Sequence, residues 1–388
     1  MATLIELHML RPLGVNSLNR GANGEVKTVF FGDLLRSRIS SQSIKAEVRK
    51  EFGKTFRTRV LISNYLIPKC EREYPEMVKE FESNARSLLN QRKDDSKKDQ
   101  IMVYSVEEVE SIYNFIIQMI KENKNKDDAN VKKEFNETVC QSDINLDIAI
   151  FGRMSTDGPL YTIPSAVHMN HSISINQHHG EEDFFIAFDN LKDGSAHLNA
   201  SEFTSGTIYT YVNIDPVQVY QNLMLPVNKR DLSEEEYKKI SSRNKKLAAE
   251  SVALVTDLFY YTLPTGKQNS MAVYPLPGMF YTKIARDIPP CTAESCFESV
   301  IRPCQNKSVT TVGVERFVEY MVDSVKPDGD RTLLIDSNVK REISDEIIKK
   351  AEKNGIVLDG LLKKSELLEK IYEQSMKMFE ISPKNYEI

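Results

Sequence analysis

The chain has 388 residues, of which 40% are hydrophobic, and a formal net charge of -5. These figures fit a globular protein with a substantial core and room for two or three structural units, and they exclude a generally basic, sticky one. No stretch approaches the roughly eighteen apolar residues of a membrane span, MATLIELHML lacks a cationic segment ahead of an apolar run, and the five cysteines are an odd count at irregular spacing. The expectation is a cytoplasmic protein with reduced thiols and no membrane partner.

In chain order, Thr3 to Leu10 alternates, with Ile5, Leu7 and Met9 on one face and Glu6 and His8 on the other, the period of a half-buried strand. Ser41 to Phe52 reads as a helix, with Ser40 or Ser41 placed to cap it and Ile44 and Val48 on one face. Helices are predicted over 58–65, 71–90 and 106–122, the last opened by the capping-box pair Ser105 and Glu108. The charged runs QRKDDSKKD and KENKNKDDAN between them read as solvated loops. Thr207 to Ile214 alternates again as a strand, with Ile208, Val212 and Ile214 opposite Tyr209 and Tyr211. A long helix, Leu232 to Leu263, opens on Ser233 and Glu236 and stops before Pro264. Residues 270–284, 310–324 and 331–336 read as strand, helix and strand, and 344–379 as C-terminal helices. Strands at both ends with helices inserted between them predict an α+β fold.

Charge is unevenly spread. Between Arg36 and Arg59 stand eight bases (Arg36, Arg38, Lys45, Arg49, Lys50, Lys54, Arg57, Arg59) against two acids, Glu47 and Glu51, so the remainder of the chain is strongly acidic. One cationic surface meeting an anionic partner explains this polarity. The stretch RISSQSIKAEVRK suits phosphate: a helix start offers amides and hydroxyls, and Lys45 and Arg49, four apart, share a helical face. A solvated amphipathic helix explains the same pattern, and both readings stand at this level.

Other constellations say less. Five of the six histidines (His168, His171, His178, His179, His197) fall in one stretch, but no helix carries them at metal-binding spacing, and Cys291, Cys296 and Cys304 contain no C-x-x-C pair. Neither a metal nor another cofactor is expected. Nucleophile-elbow and Walker patterns are missing, and Asp33, the one acid beside the cationic stretch with a conceivable hydrolytic role, reads more simply as a turn residue after Gly32. Gly180 to Thr207 reads as a protruding hairpin, with a strand at Phe184–Phe188 and a turn at Lys192-Asp193-Gly194, although its phenylalanines could instead belong to a core.

Four collinear strings, NSLNRGANGEVKTVFFG with RISSQSIKAEVRK, DIAIFGRM, GSAHLNASEFTSG and YVNI, resemble the CasC family, with a weaker echo in Thr265-Gly266-Lys267-Gln268. That family is the Cas-seven family backbone subunit of the type I-E CRISPR surveillance complex, Cascade. The resemblance implies a modified RRM, ferredoxin-like palm (1–56, completed by 208–388 with C-terminal helices), a helical fingers insertion (57–147), a web (148–177) and a β-hairpin thumb (178–207). It implies RNA binding by Arg20, Lys27, Arg38, Ser40, Ser41, Gln42, Lys45, Arg49, Arg153, Lys267 and Gln268. Met154, Phe185 and Leu198 would flank a nucleotide displaced by a neighbouring thumb. The chain departs from the family at Asp33, in place of glycine, and Leu34, in place of a lysine, so one phosphate contact has no counterpart.

The implied function is a non-catalytic scaffold that polymerises head to tail along CRISPR RNA, holding phosphates and ribose while leaving base edges free to pair with target DNA, in company with other Cascade subunits. The alternative is a type III-like backbone subunit that cuts RNA with a metal at Asp33.

Overall fold

The computed structural model describes residues 4–32, 34–53, 55–90, 101–155, 159–188, 195–286, 288–304, 306–325 and 327–381. The chain opens with β1 (Leu4–Asn16), β2 (Thr28–Phe31), β3 (Leu34–Ile39) and α1 (Ser41–Val48), which tightens into a 3-10 turn at Arg49–Phe52. Then come β4 (Phe56–Thr58), a π turn at Ile62–Leu66 running into α2 (Ile67–Glu73), α3 (Val78–Leu88), β5 (Met102–Tyr104), α4 (Val106–Lys121), α5 (Ala129–Cys140) and α6 (Leu146–Phe151). Four strands follow, β6 (Val167–Met169), β7 (Ser172–Ser174), β8 (Glu181–Phe188) and β9 (Ser195–Ile214). After α7 (Pro216–Met224), α8 (Glu234–Tyr261) and α9 (Gln268–Met271) the chain returns to strand at β10 (Met279–Ala285). It closes with α10 (Val309–Asp323), β11 (Asp330–Ile335), α11 (Ser337–Glu342), α12 (Asp345–Lys353), β12 (Ile356–Gly360) and α13 (Lys364–Ile381). The fold is α+β.

Two units divide the chain: Met1–Val48 with Val167–Asp215 and Val252–Ile388, and Arg49–Ala166 with Pro216–Ser251. The first holds a mixed sheet in the order β12-β11-β10-β1-β9-β7-β3-β2, with β6 and β8 also pairing to β9. Its described pairs are antiparallel except β11 with β12. Strand β1 lies at the centre, and the expected half-buried alternation fails there: Glu6 and His8 are as buried as Ile5 and Leu7. The reason is α10, whose Phe317 packs 5.2 Å from the His8 ring, while Lys283, opposite Glu6 in register, neutralises it at 3.2 Å. Glu6 also accepts from Cys291 N (3.0 Å) and Tyr211 Oη (3.3 Å). Burial pushes its carboxyl up, and His8, Lys283 and the Cys291 amide together pull it below the ordinary value. Tyr209 and Tyr211 are likewise buried, so both faces of β9 are covered at this level. Arg11 has no carboxylate partner among the described residues; its guanidinium caps the end of α8 by donating to the carbonyls of Phe259 (3.1 Å), Tyr260 (2.6 Å) and Thr262 (3.2 Å).

The second unit is built on helices, with Phe81, Val109, Ile112, Ile116 and Phe135 in one core cluster. The Ser105/Glu108 capping box forms at the start of α4. Several boundaries differ from expectation. Residues 56–58 pair with β5 as strand, the helix beginning only afterwards. Residues 71–90 break at Tyr74, since Pro75 brings no amide to continue a helix. Of the run read as a loop after α4, Lys121 still closes that helix and Ala129 and Asn130 already open α5, which Asp128 caps through Asn130 N. In the first unit, residues 270–278 are not strand, and β12 interrupts the C-terminal helices. QRKDDSKKD lies outside the described residues.

Candidate nucleic-acid interface

The segment NSLNRGANGEVK forms a tight excursion between β1 and β2. An antiparallel bridge joins Arg20 to Val26, Gly21 N donates to Glu25 O (2.8 Å), and Gly24 takes φ 95°, which a side chain would resist. Lys27 N donates to Asn19 O (3.0 Å) and Arg38 N to Lys27 O (2.8 Å), so the excursion is laced to β3. Asn19 then reaches the start of α1, where its Oδ1 accepts from Ser40 N (3.0 Å). Gly266 lies against the base of the same excursion; a Cβ there would collide with the Leu18 carbonyl. This explains why Thr265-Gly266-Lys267 accompanies the excursion in the sequence pattern, and Lys267 sits beside it in a left-handed turn.

Arg20 is exposed, Lys27 and Arg38 are half-buried, and among the described residues no carboxylate pairs with any of the three. Gln42 is exposed at the start of α1. Ser40 and Ser41 are buried, and their amides are already engaged: Ser41 N donates to His171 Nδ1 (3.1 Å). The helix start therefore offers fewer free amides than its sequence suggests. Lys45 donates to the Val167 carbonyl (2.9 Å).

The C-terminal half of the basic window has a different fate. Asp147, fully buried at the start of α6, accepts from Arg49 Nε (2.6 Å) and Nη2 (3.1 Å), Thr55 Oγ1 (3.1 Å) and Arg57 Nη2 (2.8 Å). Arg49 is thus held by Asp147 against DIAIFGRM. Arg153 is engaged in a similar way. Gly152, at φ 69°, turns the chain after α6, and the Arg153 guanidinium runs inward to Glu108 (2.7 Å) and the carbonyls of Val103 (3.1 Å) and Tyr161 (3.2 Å). Gln268 is also structural, since its side chain clasps Val273 N (2.7 Å) and O (2.8 Å). Met154 stays 63% exposed. Asp33 lies outside the described residues.

The hairpin is one strand serving two ladders. Residues 204–214 of β9 pair with β1, whereas the outer part, 195–203, pairs only with β8. At the junction Glu202 accepts from Val26 N (2.7 Å) and stands 3.4 Å from His178 Nε2, tying the hairpin's base to the basic excursion. Phe184 is 65% exposed and so belongs to no core. The side chains of Phe185 and Leu198, and the turn 192–194, lie outside the described residues.

Reading the sequence missed Asn19 and His171. Asn19 was visible inside NSLNRG, while His171 had been weighed only for metal binding; among the described residues no three His, Cys, Asp or Glu gather as a metal site. No helix of the described residues is long and apolar enough to cross a membrane.

This fold is found in solved structures. A chain of a "CRISPR RNA-guided surveillance complex, pre-nicking" superposes with a TM-score of 0.72 at 19% identity, covering 96% of this chain and 100% of that one. A chain of a "CRISPR RNA-guided surveillance complex" superposes with a TM-score of 0.52 at 20% identity, covering 91% and 98%. No curated protein matches the chain. The family model for the CT1975-like protein matches residues 5–359, so that nearly the whole chain, from β1 to β12, falls within it, and the chain belongs to that family.

Proposed function

We propose that this protein is the backbone subunit of a type I-E CRISPR surveillance complex and holds CRISPR RNA by its sugar-phosphate chain. In this reading the sheet unit is a modified RRM palm, the helical unit the fingers, and β8 with the outer half of β9 the thumb. Copies stack head to tail along the spacer, other Cascade subunits join them, and target DNA is met through the exposed bases of the guide. The observation that carries the reading is the strip Arg20, Lys27 and Arg38: three cations that pair with no acid among the described residues, beside exposed Gln42, in a protein of net negative charge. Cations left at a surface without a described acid suit an anionic polymer held by its backbone.

The subunit positions its RNA and does not cut it. The test is full-length protein with two unrelated single-stranded RNAs across a range of salt, with Mg²⁺ or Mn²⁺ present. Equal affinity for both sequences, a steep salt slope and intact RNA are expected. Metal-dependent cleavage abolished by Asp33→Ala would establish the nuclease alternative instead.

A further inference from the structure

His171 sits in the link between β6 and β7. Strand β7 pairs with β3, Ser172 facing Ile39 and Ile173 facing Arg38, so one step further brings His171 beside Ser40 and Ser41. There Ser41 N–H donates to its Nδ1 at 3.1 Å. A backbone amide can only donate, so Nδ1 carries a lone pair and the ring proton resides on Nε2. The residue is exposed overall, and Nε2 meets no partner among the described residues. Arg38 and Lys27 stand near enough to act on the ring electrostatically, with Glu294, itself held by the Asn170 amide, opposing them. An N–H donor of fixed tautomer is thus set near cations that pair with no carboxylate among the described residues.

We propose that His171 is a further RNA-binding residue, a neutral imidazole whose Nε2–H donates to a phosphodiester oxygen of the strand held by Lys27 and Arg38. The assignment rests on the RNA-backbone reading above. The chemistry is complementary: the cations supply charge, while the imidazole supplies a directed donor oriented from behind by the Ser41 amide. Its neutral form is the competent one, because an imidazolium would carry a second proton into the Ser41 N–H.

Two conservative variants separate the ring's two roles. His171→Asn leaves an acceptor near the Nδ1 position for Ser41 but removes the Nε2 donor; His171→Gln leaves a donor near the Nε2 position and loses the acceptor. Binding is read by anisotropy of two fluorescein-labelled single-stranded RNAs of unrelated sequence, using full-length protein, with thermal melting alongside. His171→Asn is expected to melt as wild type and bind both RNAs about 5- to 10-fold more weakly, the size of one lost hydrogen bond to a charged acceptor, while His171→Gln stays within about 2-fold of wild type. The assignment is overturned if His171→Asn binds as wild type, or if the two variants are equally weak. Lys27→Ala with Arg38→Ala serves as the control: weakened binding there beside an unaffected His171→Asn removes His171 alone, and unaltered binding in all variants removes the RNA track with it.

Discussion

Arg38 and Arg49 belong to the same basic window and read alike in the sequence, yet the fold uses them in opposite ways. Arg38 stands half-exposed beside Lys27 with no acid paired to it among the described residues, whereas Arg49 joins Arg57 on a fully buried Asp147. The lesson is that a cation's role depends on whether the fold brings a carboxylate to it. Asp147 lies far along the chain from both arginines, so the pairing could not be read locally. Arg153 makes the same point within DIAIFGRM, where its guanidinium pairs with Glu108.

That contrast can be broken from either side. The largest effect is expected from Arg153→Ala, which leaves Glu108 buried and unpaired and costs about 3–5 kcal/mol of stability, measured by denaturant unfolding; the protein that remains folded should bind RNA as wild type. A loss of RNA affinity without a loss of stability would return Arg153 to the interface. Asp147→Ala should cost less, about 1–3 kcal/mol, because Arg49 and Arg57 are partly exposed and can rehydrate.

From the other side, Lys27→Ala with Arg38→Ala should leave the melting temperature unchanged, weaken RNA binding equally for unrelated sequences and lower the salt slope by about one to two units. Arg49→Ala should do the reverse, lowering stability and sparing the slope. Replacing residues 183–201 with a short Gly-Ser linker keeps Glu202 on Val26 and the inner half of β9 on β1, so the monomer should fold and still bind RNA. Assembly along RNA, followed by size analysis, should weaken, and the regular interruption of the guide, followed by chemical probing, should vanish. Normal assembly with an unchanged probing pattern would remove the thumb role.

The smallest effect concerns pH. Burial first, then Arg38 and Lys27 against Glu294, hold His171 below the ordinary imidazole value. Because the neutral ring is the binding form, protonation competes with RNA: affinity should fall as pH drops below the ordinary imidazole value of about 6.5. That fall should be missing from His171→Asn.

Much of the fold was legible because its signals are local. The capping boxes at Ser105/Glu108 and Ser233/Glu236 set helix starts through contacts three residues apart, and the alternation in β1 and in the inner half of β9 marked them as strands. The family resemblance carried by NSLNRGANGEVK and RISSQSIK implied Arg20, Lys27 and Arg38 together as candidate RNA ligands. What the sequence could not settle is which polar groups are spent inside. Glu6 and His8 alternate as surface residues would, but α10 and Lys283 arrive from the far end of the chain to bury them. His171 likewise becomes an oriented donor only because strand pairing lays it against Ser41. Periodicity and capping act over a few residues and are written in order along the chain, whereas burial and charge pairing act through space and are fixed only when distant segments meet.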